Sequence, residues 1–151
     1  MAASVLADAG FLVALLSRRD RHHAWAVTQS RRLPPPWKTC EAALSEAFHL
    51  LGPSGGPALS ALLQREAVKV SFDLADHVEA IVAFMDKYAD VPASLADACL
   101  VRMTEVANEP LLLTTDDDFA VYRRHGRQVV PSERPPTAER RRRRIRSGAQ
   151  E

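Results

Sequence analysis

The stretch Ala3-Ser4-Val5-Leu6-Ala7-Asp8-Ala9-Gly10, running straight into Phe11-Leu12-Val13-Ala14-Leu15-Leu16, decides how this chain is read. Val5, Leu6 and Ala7 form a continuous apolar run rather than an alternating one, which is the pattern of a short strand buried on both faces. Asp8 ends that strand. A carboxylate buried at this point is costly unless something pairs with it, and no Lys or Arg follows until Arg18. Its partner is therefore distant in sequence or is not protein. Ligands of open α/β sheets bind at the carboxyl ends of the strands, so Asp8 stands where a site belongs.

Outward from this strand, helical and extended patterns alternate. Phe11 to Ser17 reads as a short helix and His22 to Leu33 as a second, stopped by Pro34, Pro35 and Pro36. Trp37 to Thr39 is a second strand. Glu41 to Leu51 follows as a helix with a wide apolar stripe, and Gly52 to Gly56 as a turn. Leu59 to Glu66 is helical, Ala67 to Phe72 alternates as a third strand does, and Asp73 to Tyr88 repeats apolar residues at helical spacing. Pro92 and Ser94 open a helix to about Glu105, and Leu111 to Leu113 is a buried fourth strand. Asp116 to Arg124 reads as a helix ended by Gly126, and Gln128 to Val130 as a last strand stopped by Pro131. This alternation implies parallel pairing through right-handed crossovers. The expected fold is a three-layer α/β/α sandwich with a central, mainly parallel sheet of four to five strands.

The chain of 151 residues is long enough for one core and too short for two ordinary domains. Residues 1–134 are read as the folded domain and 135–151 as a basic tail. From Glu139 to Glu151 six Arg stand against two Glu, so the near-zero net charge hides a mildly acidic body and a strongly basic end. No run is long enough to span a membrane, and Met1 to Leu16 lacks the basic start of a signal peptide, which leads us to expect a cytoplasmic protein. Cys40 and Cys99 match no metal or redox spacing and read as buried reduced thiols. The five His share no spacing, and no glycine-rich phosphate loop or nucleophile elbow occurs.

Acids recur where apolar neighbours are expected. Asp8 is one; Glu46 lies on the margin of the Glu41 to Leu51 stripe; Asp97 has Ala93, Ser94, Leu100 and Val101 on its helical face; Asp116, Asp117 and Asp118 follow the fourth strand at its carboxyl end. Singly, most have a structural account. Ser94 and Asp97 have capping-box spacing, and Asp116 to Asp118 suit an N-cap and first turn. Jointly, four such acids gathered at one sheet edge without basic partners would repel one another. A divalent cation removes that conflict, and oxygen ligands without a His or Cys cluster point to Mg²⁺ or Mn²⁺.

Val5-Leu6-Ala7-Asp8-Ala9-Gly10, Leu44-Ser45-Glu46-Ala47, Leu95-Ala96-Asp97-Ala98-Cys99-Leu100-Val101-Arg102 and Thr114-Thr115-Asp116-Asp117-Asp118-Phe119 together resemble the PIN-domain ribonucleases, over nearly all of Ser4 to Val130. Within them the chain looks most like the VapC toxins of bacterial toxin–antitoxin pairs. The resemblance implies a metal-dependent endoribonuclease, usually a homodimer, silenced by a cognate antitoxin. It places the catalytic acids on Asp8, Glu46, Asp97 and Asp116, and metal ligation on Asp8, Asp97 and Asp116 with Asp118 in support. Glu41 competes for the place of Glu46, and Thr114 would steady an acid or the attacking water. Phosphate-binding candidates on the RNA side are Arg18, Arg19, Arg21, Lys38, Arg102, Arg123 and Arg124, and single-stranded or looped RNA is the expected substrate.

Two other classes share the pattern. A non-cleaving RNA-binding module would gain nothing from clustered carboxylates facing phosphates. A receiver-like phosphoacceptor would need paired acids after the first strand and a Lys after the last, and both are missing.

Overall fold

The computed structural model describes residues 4–137; the arginine-rich Arg140 to Arg146 segment lies outside the described residues. The chain runs β1 (Ser4–Ala7), α1 (Ala9–Leu16), α2 (His23–Arg32), β2 (Trp37–Thr39), α3 (Glu41–Gln64), β3 (Val68–Val70), α4 (Val78–Lys87), α5 (Leu95–Val106), β4 (Pro110–Leu113), β5 (Arg123–Arg124), β6 (Gln128–Val129) and β7 (Ser132–Glu133). Five strands make one parallel sheet in the order β3-β2-β1-β4-β7. The expected α/β/α sandwich with a parallel sheet is what forms.

Both faces of the sheet are covered, as the apolar run in β1 requires. Leu6 and Leu112 pack with Phe72, Ile81, Leu100, Phe119 and Tyr122 from the α4 and α5 side. Their strand neighbours Ala7 and Leu113 point the other way, into Phe11, Leu12, Trp37, Ala47 and Leu59 of the α1, α2 and α3 side. Alternation along two adjacent strands thus builds two cores. The strand order reverses at β1: the chain moves outward through β2 and β3, then returns to lay β4 on the other side. Such a switch point opens a crevice at the carboxyl ends of the two central strands.

Four details differ from the sequence reading. Residues 52–56 are no simple turn, because helix resumes at once. Gly52, at φ 66° and ψ −173°, kinks α3, and Pro53 starts the second half, where a missing N–H is harmless. Residues 73–88 are not one helix. Asp73 accepts from the Ala75 N–H at 3.0 Å and closes a 3₁₀ turn over Leu74–His77, and the His77 ring stacks on Phe72 with centroids 4.7 Å apart before α4 begins. Residues 116–124 supply only the 3₁₀ turn Asp117–Ala120, after which the chain extends into β5. Gln128 to Val130 does not join the main sheet: β6 pairs antiparallel with β5. The fifth strand is β7, past Pro131. The strand read at 128–130 does end before Pro131, and β7 begins directly after that proline, whose carbonyl accepts from Leu112 N–H at 2.9 Å.

Candidate active site

Backbone pairing at the switch point brings the acids together. Ala7 pairs with Leu113, and Asp8 N–H donates to the Leu113 carbonyl at 3.0 Å, so Thr114 emerges beside Asp8. The Thr114 hydroxyl donates to Asp8 Oδ2 at 2.8 Å and accepts from Asp116 N–H at 3.0 Å. Asp116 Oδ1 then accepts from Asp118 N–H at 2.8 Å, capping the 3₁₀ turn. Asp8 Oδ1 accepts from Ala9 N–H at 2.7 Å. Gly10 lets this assembly close: a Cβ there would meet the Thr115 hydroxyl oxygen.

Asp97 arrives from the opposite side on the first turn of α5. The capping box read from the sequence is present, with Asp97 N–H donating to Ser94 Oγ at 3.0 Å and Ser94 N–H to Asp97 Oδ2 at 3.3 Å. The same Oδ2 accepts from the buried Tyr122 hydroxyl at 2.8 Å. Glu46 stands exposed on α3. Asp8, Glu46, Asp97 and Asp116 line one cleft of about 310 Å³ together with Ala9, Gly10, Leu50, Pro92, Ser94 and Thr115. No Lys or Arg is among these residues.

The electrostatics record that imbalance. Burial, reinforced by Asp97 and Glu46, pushes the Asp8 carboxyl up to about 7 against the lowering pull of the Thr114 and Ala9 hydrogen bonds. Glu46 is raised by desolvation and by Asp97 and Asp116. Asp116 is raised by desolvation and by Asp118, Asp97 and Asp117. Desolvation and donation to Asp97 hold the Tyr122 phenol above its ordinary range. The cleft destabilises its own negative charge.

A hard divalent cation fits this donor set by charge and by type, since every side-chain acid offered is a carboxylate and the two buried free thiols, Cys40 and Cys99, line another cavity. Among the described residues, no three His, Cys, Asp or Glu side chains already converge as a ligand set. Asp8 and Asp97 are buried and held by hydrogen bonds, while Glu46 is exposed and Asp116 half-buried, so the latter pair has room to adjust.

The family model of the PIN domain matches residues 5–125. The chain belongs to the PIN-domain family. The match spans all four cleft acids and stops short of β7. Among solved structures, VapC20 of Mycobacterium tuberculosis, described as a sarcin–ricin loop cleaving toxin, superposes with a TM-score of 0.66 at 23% identity, covering 78% of this chain and 94% of its own. A search of curated protein sequences finds no significant match.

Other candidates read from the sequence fall elsewhere in the PIN domain. Glu41 lines a separate cavity of about 610 Å³ with Cys40, Phe72, Leu74 and Cys99, apart from the acids. Asp118 supports Asp116 through its backbone and does not line the cleft. Arg18 and Arg19 are exposed after α1, Lys38 is half-buried in β2, and Arg21 lines a neighbouring cleft with Thr115. Arg102 is engaged by His77 and Glu105, and Arg123 donates to the carbonyls of Ala120, Val121 and Tyr122. Arg124 Nε is buried without a hydrogen-bond partner among the described residues.

Sequence reasoning missed Tyr122. It lies 25 residues from Asp97 in the chain and is an ordinary aromatic by pattern. Its ring packs edge-on to Phe84, Tyr88 and Phe119. Tyr122→Phe keeps that packing and removes one donor to a buried carboxylate, so it should cost about 1.5–3 kcal/mol in urea unfolding. A loss below about 0.5 kcal/mol would show that Asp97 finds another donor.

Proposed function

We propose that this PIN domain is a metal-dependent endoribonuclease that hydrolyses RNA phosphodiester bonds, acting as the toxin of a toxin–antitoxin pair. The observation that carries this is the set of four carboxylates lining one cleft at the switch point with no cationic side chain among the lining residues. Family membership and the fold likeness to an RNA-cleaving toxin support it.

Asp8, Asp97 and Asp116 would hold one or two Mg²⁺ or Mn²⁺ ions, which supply charge neutralisation at phosphorus and a water of lowered pKa. Thr114 fixes the orientation of Asp8 and ties it to Asp116, so these acids keep their places when RNA enters. The Ser94 and Tyr122 donors do the same for Asp97. Glu46, which lines the same cleft and is raised above the ordinary carboxylate range by desolvation and by Asp97 and Asp116, would act through a bound water or as a second ligand. An RNA loop, the substrate type named for VapC20, suits a shallow cleft of this kind. A cognate antitoxin, a homodimeric assembly and a cytoplasmic site of action belong to the same proposal; among the described residues no helix is long and apolar enough to cross a membrane.

The competing reading, a non-cleaving RNA-binding module, draws on the lack of a ready-made ligand set among the described residues. Purified protein incubated with total cellular RNA separates the two. Discrete products with Mg²⁺ or Mn²⁺, absent with EDTA and with Asp97→Asn, are expected. Intact RNA from antitoxin-free protein with bound metal would favour the module.

A further inference from the structure

The acid cleft has to receive a polyanion, yet no Lys or Arg is among the residues lining it. A cation for that polyanion lies in an adjoining cleft. This second cleft, of about 300 Å³, is lined by Arg21, His22, Thr115 and Asp117 with the segment from Pro135 to Thr137. Thr115 borders both clefts, and the residues after it divide between them: Asp116 lines the acid cleft and Asp117 the second. Consecutive Cα atoms stand about 3.8 Å apart, so the two openings adjoin along this one short segment.

The second cleft is basic, and its basic groups sit on an ordered loop. Asp20 ties that loop down, its Oδ1 accepting from His22 N–H at 2.8 Å and its carbonyl from His23 N–H at 3.0 Å. Arg21 Nε donates to His22 Nε2 at 3.0 Å. A guanidinium offers donors only, so His22 Nε2 is the acceptor and the ring proton of His22 sits on Nδ1. The Arg21 Nη groups and His22 Nδ1 make no hydrogen bond to the described residues. Asp117, the acid among these lining residues, is engaged by Arg134, whose Nη1 lies 2.9 Å from Asp117 Oδ1. Arg102 and Arg123, by contrast, are spent on His77, Glu105 and backbone carbonyls.

We propose that the cleft of Arg21 and His22 is a phosphate subsite, holding a backbone phosphate of RNA that flanks the one presented to the acids. This rests on the nuclease reading of the acid cleft. The Nη end of Arg21 offers the bidentate pairing that phosphate oxygens take, and His22 Nδ1–H adds a further donor. A phosphate gripped there sets where the RNA chain crosses the acids, so the cleaved bond lies at a fixed step from the gripped phosphate. The grip reads backbone and not base; it supplies register without sequence preference.

The test uses the full chain. A labelled single-stranded RNA oligonucleotide is titrated in EDTA over a series of KCl concentrations with the unaltered protein, Arg21→Gln and Arg31→Gln. Arg31 is exposed on α2 and is not among the residues lining either cleft, so its loss gives the same change in net charge away from the subsite. Arg21→Gln is expected to bind about three- to tenfold more weakly, with a salt slope shallower by about 0.7, the value for one phosphate of a single strand. Arg31→Gln should match the parent. In cleavage with Mg²⁺, oligonucleotides carrying one uncharged methylphosphonate linkage at successive positions locate the contact. The parent should lose rate at one linkage flanking the cleaved bond, and Arg21→Gln should lose nothing further there. No RNA binding by the parent, parent-like affinity and slope in Arg21→Gln, an equal loss in Arg31→Gln, or a methylphosphonate penalty that survives in Arg21→Gln would each overturn the proposal. Arg21-dependent binding of one phosphate by a protein that never cleaves would remove the nuclease reading and leave the subsite standing.

Discussion

Asp8→Asn is expected to abolish RNA cleavage and, in EDTA above pH 7, to melt at a higher temperature than the parent. The parent carboxyl has a pKa of about 7 in the fold against 3.8 for the free group. A raised acid binds its proton more tightly folded than unfolded, so ionisation costs stability as pH climbs from about 4 to about 7, and the full cost is present above that window. That difference corresponds to a ceiling of about 4 kcal/mol. Asn never ionises, keeps an acceptor for Ala9 N–H, and forces the Thr114 hydroxyl to turn, so the net gain falls below the ceiling. A rise of about 5–10 °C is expected for a domain of this size. Thermal melts of both proteins at several pH values check it. The gap should open between pH 4 and 7, hold above, and shrink when Mg²⁺ is added to the parent; a gap independent of pH would refute the account.

Gly10→Ala is the second large effect. The added Cβ meets the Thr115 hydroxyl oxygen, and Thr115 is the residue between Thr114 and Asp116. Relief requires the Thr115 side chain to turn or the loop to retreat from α1. Overpacking of this kind costs about 1–3 kcal/mol. Activity should suffer more than stability, because displacing catalytic groups by about 1 Å is worth roughly a hundredfold in rate. Thr115→Ala placed in the same chain removes the obstructing oxygen and should restore most of both. Failure of that second change to rescue would mean that Gly10 matters for some other contact.

What the sequence disclosed followed from how local the signals were. β1 and β4 are legible because a strand buried on both faces is apolar at consecutive positions; Asp8 stands out because it ends such a run, and Asp116 because it follows one after two threonines. The Ser94 and Asp97 box is a short-range pattern, and it formed as written. Glu46 and Glu41 could not be ranked from the stripe alone; only the packing of α3 puts one in the acid cleft and the other in a different cavity. Tyr122 left no signal, since its role depends on two segments meeting. Pro131 follows the end of β6 as read, but the edge strand β7 just past it is only two residues long and leaves no periodic signal. Gly52 misled, since a left-handed residue followed by proline reads as a turn and here merely bends a helix.

The central place of β1 also bears on the timing of activity during synthesis. β1 is made more than a hundred residues ahead of its β4 neighbour, which pairs Leu113 with Ala7. Until then the Asp8 carboxylate lacks Thr114, and the fourth acid does not exist. A partly translated chain therefore holds no complete set of cleft acids, and a chain broken off before β4 leaves β1 with an open edge, a form prone to aggregation. For the RNA cleavage proposed above, this topology withholds the complete set of acids until the body of the fold has been made.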